Sequence, residues 1–296
     1  MSDSAQPVAN GPPSDVPITP ELARALLTEQ HPDLADLPIR HVEDGWDNTV
    51  YRLGDQLALR LPRRALGAQL VLSEQTWLPL LAPSLPLPVP APVRNGVAAL
   101  GYPYPWSVVP WFDGEMICRA PARPGEGERL AAFLKALHQP APPEAPSNRF
   151  RGVPLTERAE AFEGRCREVE ARSGSFPAHV RRAWEAGLAA PIDLPRTWFH
   201  GDLHGRNVLT KDGRLAAVID WGDMGAGDAA CDVAAIWMLL DDRQDREAAL
   251  AIYGASSATL ARARGWAAVM AVMMAAGDAR MTGMAADLIR RLEEGP

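Results

Sequence analysis

The string His200-Gly201-Asp202-Leu203-His204-Gly205-Arg206-Asn207 is followed, after two short apolar runs, by Val218-Ile219-Asp220-Trp221-Gly222. Asp202 and Asn207 stand five residues apart on what reads as a tight loop. The β-like runs 207–210 and 215–219, joined by a Lys211-Asp212-Gly213-Arg214 turn, form a hairpin that returns a third oxygen donor, Asp220, to the same neighbourhood. Such a set suits phosphoryl transfer from ATP, which needs a carboxylate to orient the acceptor hydroxyl and receive its proton, and oxygen ligands to hold Mg²⁺ against the phosphates. Magnesium is a hard cation that prefers carboxylate, amide oxygen and water.

The elements that must position these groups are legible in outline. Thr19-Pro20-Glu21 opens a helix running to about residue 30, with an N-cap, a proline at the first helical position and an acid in the first turn. Strands are expected at 38–41, 48–53 and 56–61, the last two joined by Gly54-Asp55, then a helix over 66–81, a proline-rich stretch to 92, and strands at 93–100 and 106–111. After Asp113-Gly114 the chain turns helical, with helices expected at 128–138, 156–172 and 180–190. The expected division is a flexible tail over 1–15, a sheet-bearing lobe over 16–112 and a mainly helical lobe over 113–296.

The two strings follow the protein-kinase template, H-R-D-x-x-x-x-N and then D-F-G, here written H-G-D-x-x-x-x-N and D-W-G. In this form the chain resembles the aminoglycoside phosphotransferase family, whose catalytic loop carries His-Gly-Asp and whose metal aspartate lies in an Ile-Asp run. The likeness extends through Gly227-Asp228 and Asp232-Val233-Ala234. It implies an α+β, protein-kinase-like two-lobed fold with a small antiparallel sheet and one key helix in the N-lobe. It also implies Asp202 as catalytic base, Asn207 and Asp220 as metal ligands, His200 as support for the loop, and ATP with Mg²⁺ as cofactors. The acceptor would be a hydroxyl of a small molecule, with aminoglycosides, other antibiotics and ordinary metabolites all represented in the family.

The same template demands a basic residue on the third strand, paired with an acid on the following helix. Leu70, Glu74, Trp77 and Leu81 share one face of the 66–81 helix, so Glu74 points inward and requires a cation. Arg60, alternating with Ala58 along its strand, is that cation, standing where relatives carry lysine. At the place of the kinase hinge, the Pro110 carbonyl and the Phe112 N–H are expected to read adenine, since proline keeps its acceptor. The nucleotide-covering loop, Asp44-Gly45-Trp46-Asp47-Asn48-Thr49, retains one glycine.

Composition bounds the alternatives. The net charge of −7, without a basic stripe, disfavours nucleic acid and anionic membranes as partners. The longest apolar stretch falls short of the ~20 residues of a bilayer span, and the N-terminus carries no basic and apolar leader, so a cytoplasmic location is expected. The three cysteines fit neither a disulfide framework nor a zinc site. Two rival functions remain at this level. One is a kinase-fold nucleotide-binding module of weak activity, suggested by Arg60 and the degenerate loop. The other is a binuclear metallophosphoesterase, in which the Gly-Asp-x-His-Gly string would make Asp202 and His204 metal ligands.

Overall fold

The computed structural model describes residues 12–277 and 279–295, and the chain divides into two units, 12–83 with Val89–Phe112 and Ser84–Pro88 with 113–295. In the smaller unit, α1 (Pro20–Gln30) precedes the strands β1 (Ile39–Asp44), β2 (Asn48–Leu53) and β3 (Leu57–Pro62), then α2 (Ala65–Leu81), β4 (Arg94–Gly96) and β5 (Trp106–Pro110). The strands form one antiparallel sheet in the order β1-β2-β3-β5-β4. Thr19 caps α1 by accepting from the Leu22 N–H, as the sequence leads one to expect. Leu26 and Leu27 of α1 pack with Tyr51, Leu53, Leu59, Leu61, Trp106 and Val108 in one core, so burial of apolar surface fixes the strand register.

Three features of this unit depart from the sequence reading. The strand expected over 93–100 shortens to β4, because the chain turns at Leu100 and Gly101, both at positive φ. The buried stripe of α2 centres on Val71, Glu74 and Leu78, one position round from the expected Leu70–Trp77–Leu81 face. Residues 1–11 of the expected tail lie outside the described residues, but its end is pinned. Asp15 donates its N–H to Arg63 O (2.8 Å) and accepts from the Ala65 N–H (3.1 Å) and the Tyr104 hydroxyl (2.7 Å). An aspartate at the start of α2 satisfies a free helical N–H, which ties Asp15 to the lobe.

The larger unit contains β6 (Glu115–Met116), α3 (Gly127–Leu137), α4 (Ala159–Ser173), α5 (Ala178–Ala189), β7 (Thr197–Phe199), β8 (Val208–Lys211), β9 (Arg214–Val218) and β10 (Gly225–Gly227). The helices α6 (Ala230–Val233), α7 (Ala235–Leu239), α8 (Arg243–Tyr253), α9 (Ser257–Ala276) and α10 (Ala279–Glu294) follow. α9 is apolar on all sides and buried along most of its length, packed against α4, α5, α6 and α10. Ser256 caps it.

Two small sheets hold the loops of this unit. β8 and β9 form the expected hairpin, with β6 on its outer edge. The Gly225-Ala226-Gly227 string is a strand, paired antiparallel with β7. Local propensity argues against a strand there, since glycine weakens one. The glycines serve close approach: a Cβ on Gly227 would fall 2.3 Å from Gly152 O. Among the described residues no helix is long and apolar enough to cross a membrane.

Candidate active site

The loop from His200 to Asn207 connects β7 to β8, and its conformation is set from behind by Asp232 at the start of the C-terminal helices. Asp232 is fully buried; one of its oxygens accepts the His200 N–H (2.6 Å) and the other the Gly201 N–H (2.8 Å). His138, the C-cap of α3, approaches the same carboxylate with Nε2 at 3.4 Å, while its Nδ1 meets the Tyr253 hydroxyl at 2.8 Å. Burial raises the Asp232 pKa, but the hydrogen bond and charge of His138, followed by His200, outweigh it and hold the group ionised. The sequence offers Asp232 only within the Asp232-Val233-Ala234 string and residue 138 only as the end of an expected helix. Their meeting joins residues 94 apart.

The His200 ring carries out the expected support. Its Nδ1 accepts from the Asp202 N–H (3.2 Å), so Nε2 bears the proton and donates to Ile219 O (3.1 Å). The ring packs against Trp221, which is fully buried and donates its indole N–H to Val218 O (3.1 Å). Trp221 thus occupies the place of phenylalanine in the template as an apolar prop beneath the loop.

Asp202 is held from three directions. Arg151 Nη2 lies 3.0 Å from Oδ1. Asn207 Nδ2 donates to Oδ2 (3.0 Å) and to the Asp202 carbonyl (2.9 Å). His204 Nδ1 accepts from the Arg206 N–H, which leaves Nε2 to donate toward Oδ2 at 3.3 Å. Burial alone would push the Asp202 carboxylate up, but the opposing pull of His204, Arg151 and His200 is larger and keeps it well below the usual carboxylate range. Each carboxylate oxygen accepts more than one hydrogen bond, so Oδ1, which accepts from Arg151, retains capacity for an acceptor hydroxyl.

Arg151 was not singled out from the sequence. It sits on a loop fixed at both ends: Asn148 accepts the Phe150 and Arg151 N–H groups and donates to Asp223, while the Asp228 N–H donates to Gly152 O (2.8 Å). Asp228 in turn forms a buried ion pair with Arg262 of α9 (2.7 Å). The Gly227-Asp228 string therefore acts as a brace between α9 and the Arg151 loop.

Asn207 and Asp220 are joined through the backbone, since the Ile219 N–H donates to Asn207 O (2.8 Å) immediately before Asp220. Asp220 adopts φ +61°, a conformation uncommon outside glycine and frequent at functional positions. Because the Asn207 amide nitrogen is committed to Asp202, its oxygen faces the other way. Amide oxygen and carboxylate are the donors a magnesium ion prefers, so the residues present fit that metal. Among the described residues no group of three or more His, Cys, Asp or Glu side chains is disposed to hold a metal. The binuclear alternative assigns His204 to a metal; here its Nε2 is turned to Asp202 Oδ2 instead.

In the smaller unit, Arg60 Nη1 lies 2.5 Å from Glu74 Oε2, both side chains being almost wholly buried. The adjacent Gln75 donates to Trp106 O (2.9 Å) and Ser107 Oγ (3.0 Å), fastening α2 to β5 beside this pair. Trp111 donates its N–H to Gln56 O (2.7 Å). The alternation of β5 then turns the Pro110 carbonyl away from β3, toward the edge where β4 pairs no further than Val108.

A model of the phosphotransferase enzyme family matches residues 38–267. Viomycin phosphotransferase from Streptomyces vinaceus is 36% identical over 122 residues, which cover 39% of this chain and 36% of the relative. Thiamine kinase from Salmonella typhi is 29% identical over 158 residues, covering 53% of this chain and 52% of the relative. The chain thus spans about a third to a half of the length of these curated relatives. The solved structure of the GDP complex of aminoglycoside 2'-phosphotransferase-IIIa superposes with a TM-score of 0.62 at 17% identity, covering 93% of this chain and 98% of the other. A macrolide 2'-phosphotransferase from Brachybacterium faecium gives 0.58 at 22%, covering 90% and 97%. The fold is that of these kinase-like phosphotransferases, an antiparallel sheet unit and a mainly helical unit.

Proposed function

The chain belongs to the phosphotransferase enzyme family, and from that premise we propose that it moves the γ-phosphoryl group of ATP to a hydroxyl of a small molecule. The observation that carries this reading is the Asp202 carboxylate, braced by Arg151, His204 and Asn207 on a loop locked by Asp232. Neighbouring structures hold GDP, ADP or ATP, which supports a nucleotide as the donor.

Asp202 accepts the acceptor's hydroxyl proton while the new O–P bond forms, and the bond from the γ-phosphorus to its bridging oxygen breaks, releasing ADP and a phosphate monoester. A carboxylate held below its ordinary pKa is a weak base. Its first task is therefore to orient the hydroxyl, and proton transfer follows late, as suits a loose transition state with little nucleophilic assistance. Magnesium, held by the Asn207 amide oxygen and Asp220, would neutralise charge on the phosphates. Arg60, fixed by Glu74, is assigned to the nucleotide phosphates, and the backbone groups of Pro110 and Phe112 to adenine.

The test is incubation with Mg-ATP and a panel of hydroxyl-bearing acceptors, following ADP release against an Asp202→Asn control. Acceptor-dependent turnover lost in the control supports the reading. A rise in melting temperature with Mg-ATP, together with equal and negligible ADP release from both proteins on every acceptor, would instead favour a nucleotide-binding module.

A further inference from the structure

The larger unit carries an open-sided cavity of about 760 Å³, and two residues of the Asp202 loop, Gly205 and Arg206, form part of its wall. That size suits a drug-sized ligand. Gly205 rests against Cys118 and Met284, which line the same space. A molecule seated there lies beside the loop that carries Asp202.

The chemistry of the wall is uneven. Part of the lining is apolar, contributed by Met238, Leu240, Met274, Met284 and Leu288. Other lining positions carry carboxylates, and each already has a partner within the chain. Asp241 accepts from Arg290 (2.5 Å) and Arg291 (3.2 Å). Glu294 accepts from Arg290 (2.7 Å) and Arg246 (2.8 Å). Asp242 caps α8 through the Asp245 N–H, Asp245 accepts the Gly125 N–H, and Asp287 lies 3.8 Å from Arg290. The guanidinium groups of Arg119 and Arg206, by contrast, have no hydrogen-bond or ion-pair partner among the described residues.

A ligand with several ammonium groups would compete with arginines for Asp241, Asp287 and Glu294, would find only Asp242 and Asp245 without an arginine partner, and would meet two uncommitted guanidinium groups of like charge, an unfavourable balance in a partly desolvated site. An apolar body with hydroxyl, ester or carboxylate oxygens meets the opposite conditions, because methionine and leucine take the body and arginine takes the oxygens. We propose that this cavity receives an uncharged or anionic amphiphilic alcohol, and not a polyammonium sugar. The reacting hydroxyl rests on the phosphotransferase reading; the ligand class rests on the walls alone.

The experiment uses the full chain and three probes: cholate below its aggregation threshold, the neutral macrolactone erythronolide B, and kanamycin. Binding is first titrated by calorimetry without nucleotide. Cholate and the lactone are expected to bind at least about tenfold more tightly than kanamycin. The paired substitutions Arg119→Gln and Arg206→Gln should weaken cholate by about fivefold or more and leave the lactone within about twofold, while Leu240→Asp should weaken both. Kanamycin binding as tightly as the amphiphiles, or no binding of either amphiphile, overturns the assignment. ADP release with Mg-ATP then separates the two readings. Amphiphile binding without ADP from any probe counts against phosphotransfer and leaves the cavity's ligand class standing. Preferred turnover of kanamycin counts against the ligand class and leaves phosphotransfer standing.

Discussion

One oxygen of the buried Asp232 carboxylate accepts the His200 N–H and the other the Gly201 N–H, so a single side chain fixes two consecutive peptide groups at the root of the loop that carries Asp202. In Asp232→Asn an amide nitrogen replaces one acceptor and faces a backbone N–H. The expected result is a loss of about 1–3 kcal/mol of stability, read as a lower melting temperature, together with reduced turnover.

The proton-transfer role proposed for Asp202 predicts a different pattern. Asp202→Asn should lower turnover by about 10²-fold or more while the rise in melting temperature with Mg-ATP persists, because the proposed phosphate and metal contacts come from other residues. Single-turnover kinetics and thermal unfolding on the same samples check both halves.

Arg151 is a positioning residue for Asp202, with Nη2 3.0 Å from its carboxylate. Arg151→Gln removes one of the cations that depress the Asp202 pKa. The folded-state pKa must then rise toward the ordinary carboxylate value, and the acid limb of the kcat/KM profile should move to higher pH. An unchanged acid limb would show that Arg151 does not control Asp202.

The Arg60–Glu74 pair is buried, and removing one member of such a pair typically costs about 3–5 kcal/mol because the remaining charge loses its counterion. Arg60→Ala and Glu74→Ala are each expected to destabilise the protein. The double variant Arg60→Ala/Glu74→Ala should be less destabilised than the sum of the two, which a double-mutant cycle of chemical unfolding measures.

Asp193 supports α9 through the Ser256 hydroxyl, Thr259 (2.7 Å) and Arg262 (3.0 Å). The Ser256 hydrogen bond and these partners bring its pKa down to about 2 from 3.8. A depressed folded-state pKa contributes stability that is present above the unfolded value and is lost as pH falls through the folded one. The wild-type melting temperature should therefore drop more steeply between pH 4 and pH 2 than that of Asp193→Asn, which lacks the contribution throughout. Parallel curves would remove this anchor from the account.

What the sequence determined by itself was local. The spacing of Asp202, Asn207 and Asp220 across one hairpin, the Thr19 cap, the strands β2 and β3, and the inward Glu74 are read from patterns a few residues long, Arg60 as its partner is read from the kinase template, and each recurs in the structure. The tertiary structure alone decided which distant groups control that hairpin. Arg151 reaches Asp202 across 51 residues and Asp232 reaches Gly201 across 31. Gly225–Gly227 becomes a strand only because β7 lies beside it. The reason is physical. Periodicity and capping follow from backbone geometry and leave a mark within one or two turns of chain. The carboxylates and guanidinium groups that brace the Asp202 loop find their partners only when packing of the apolar helices around α9 brings remote loops together, and that convergence has no short-range signature.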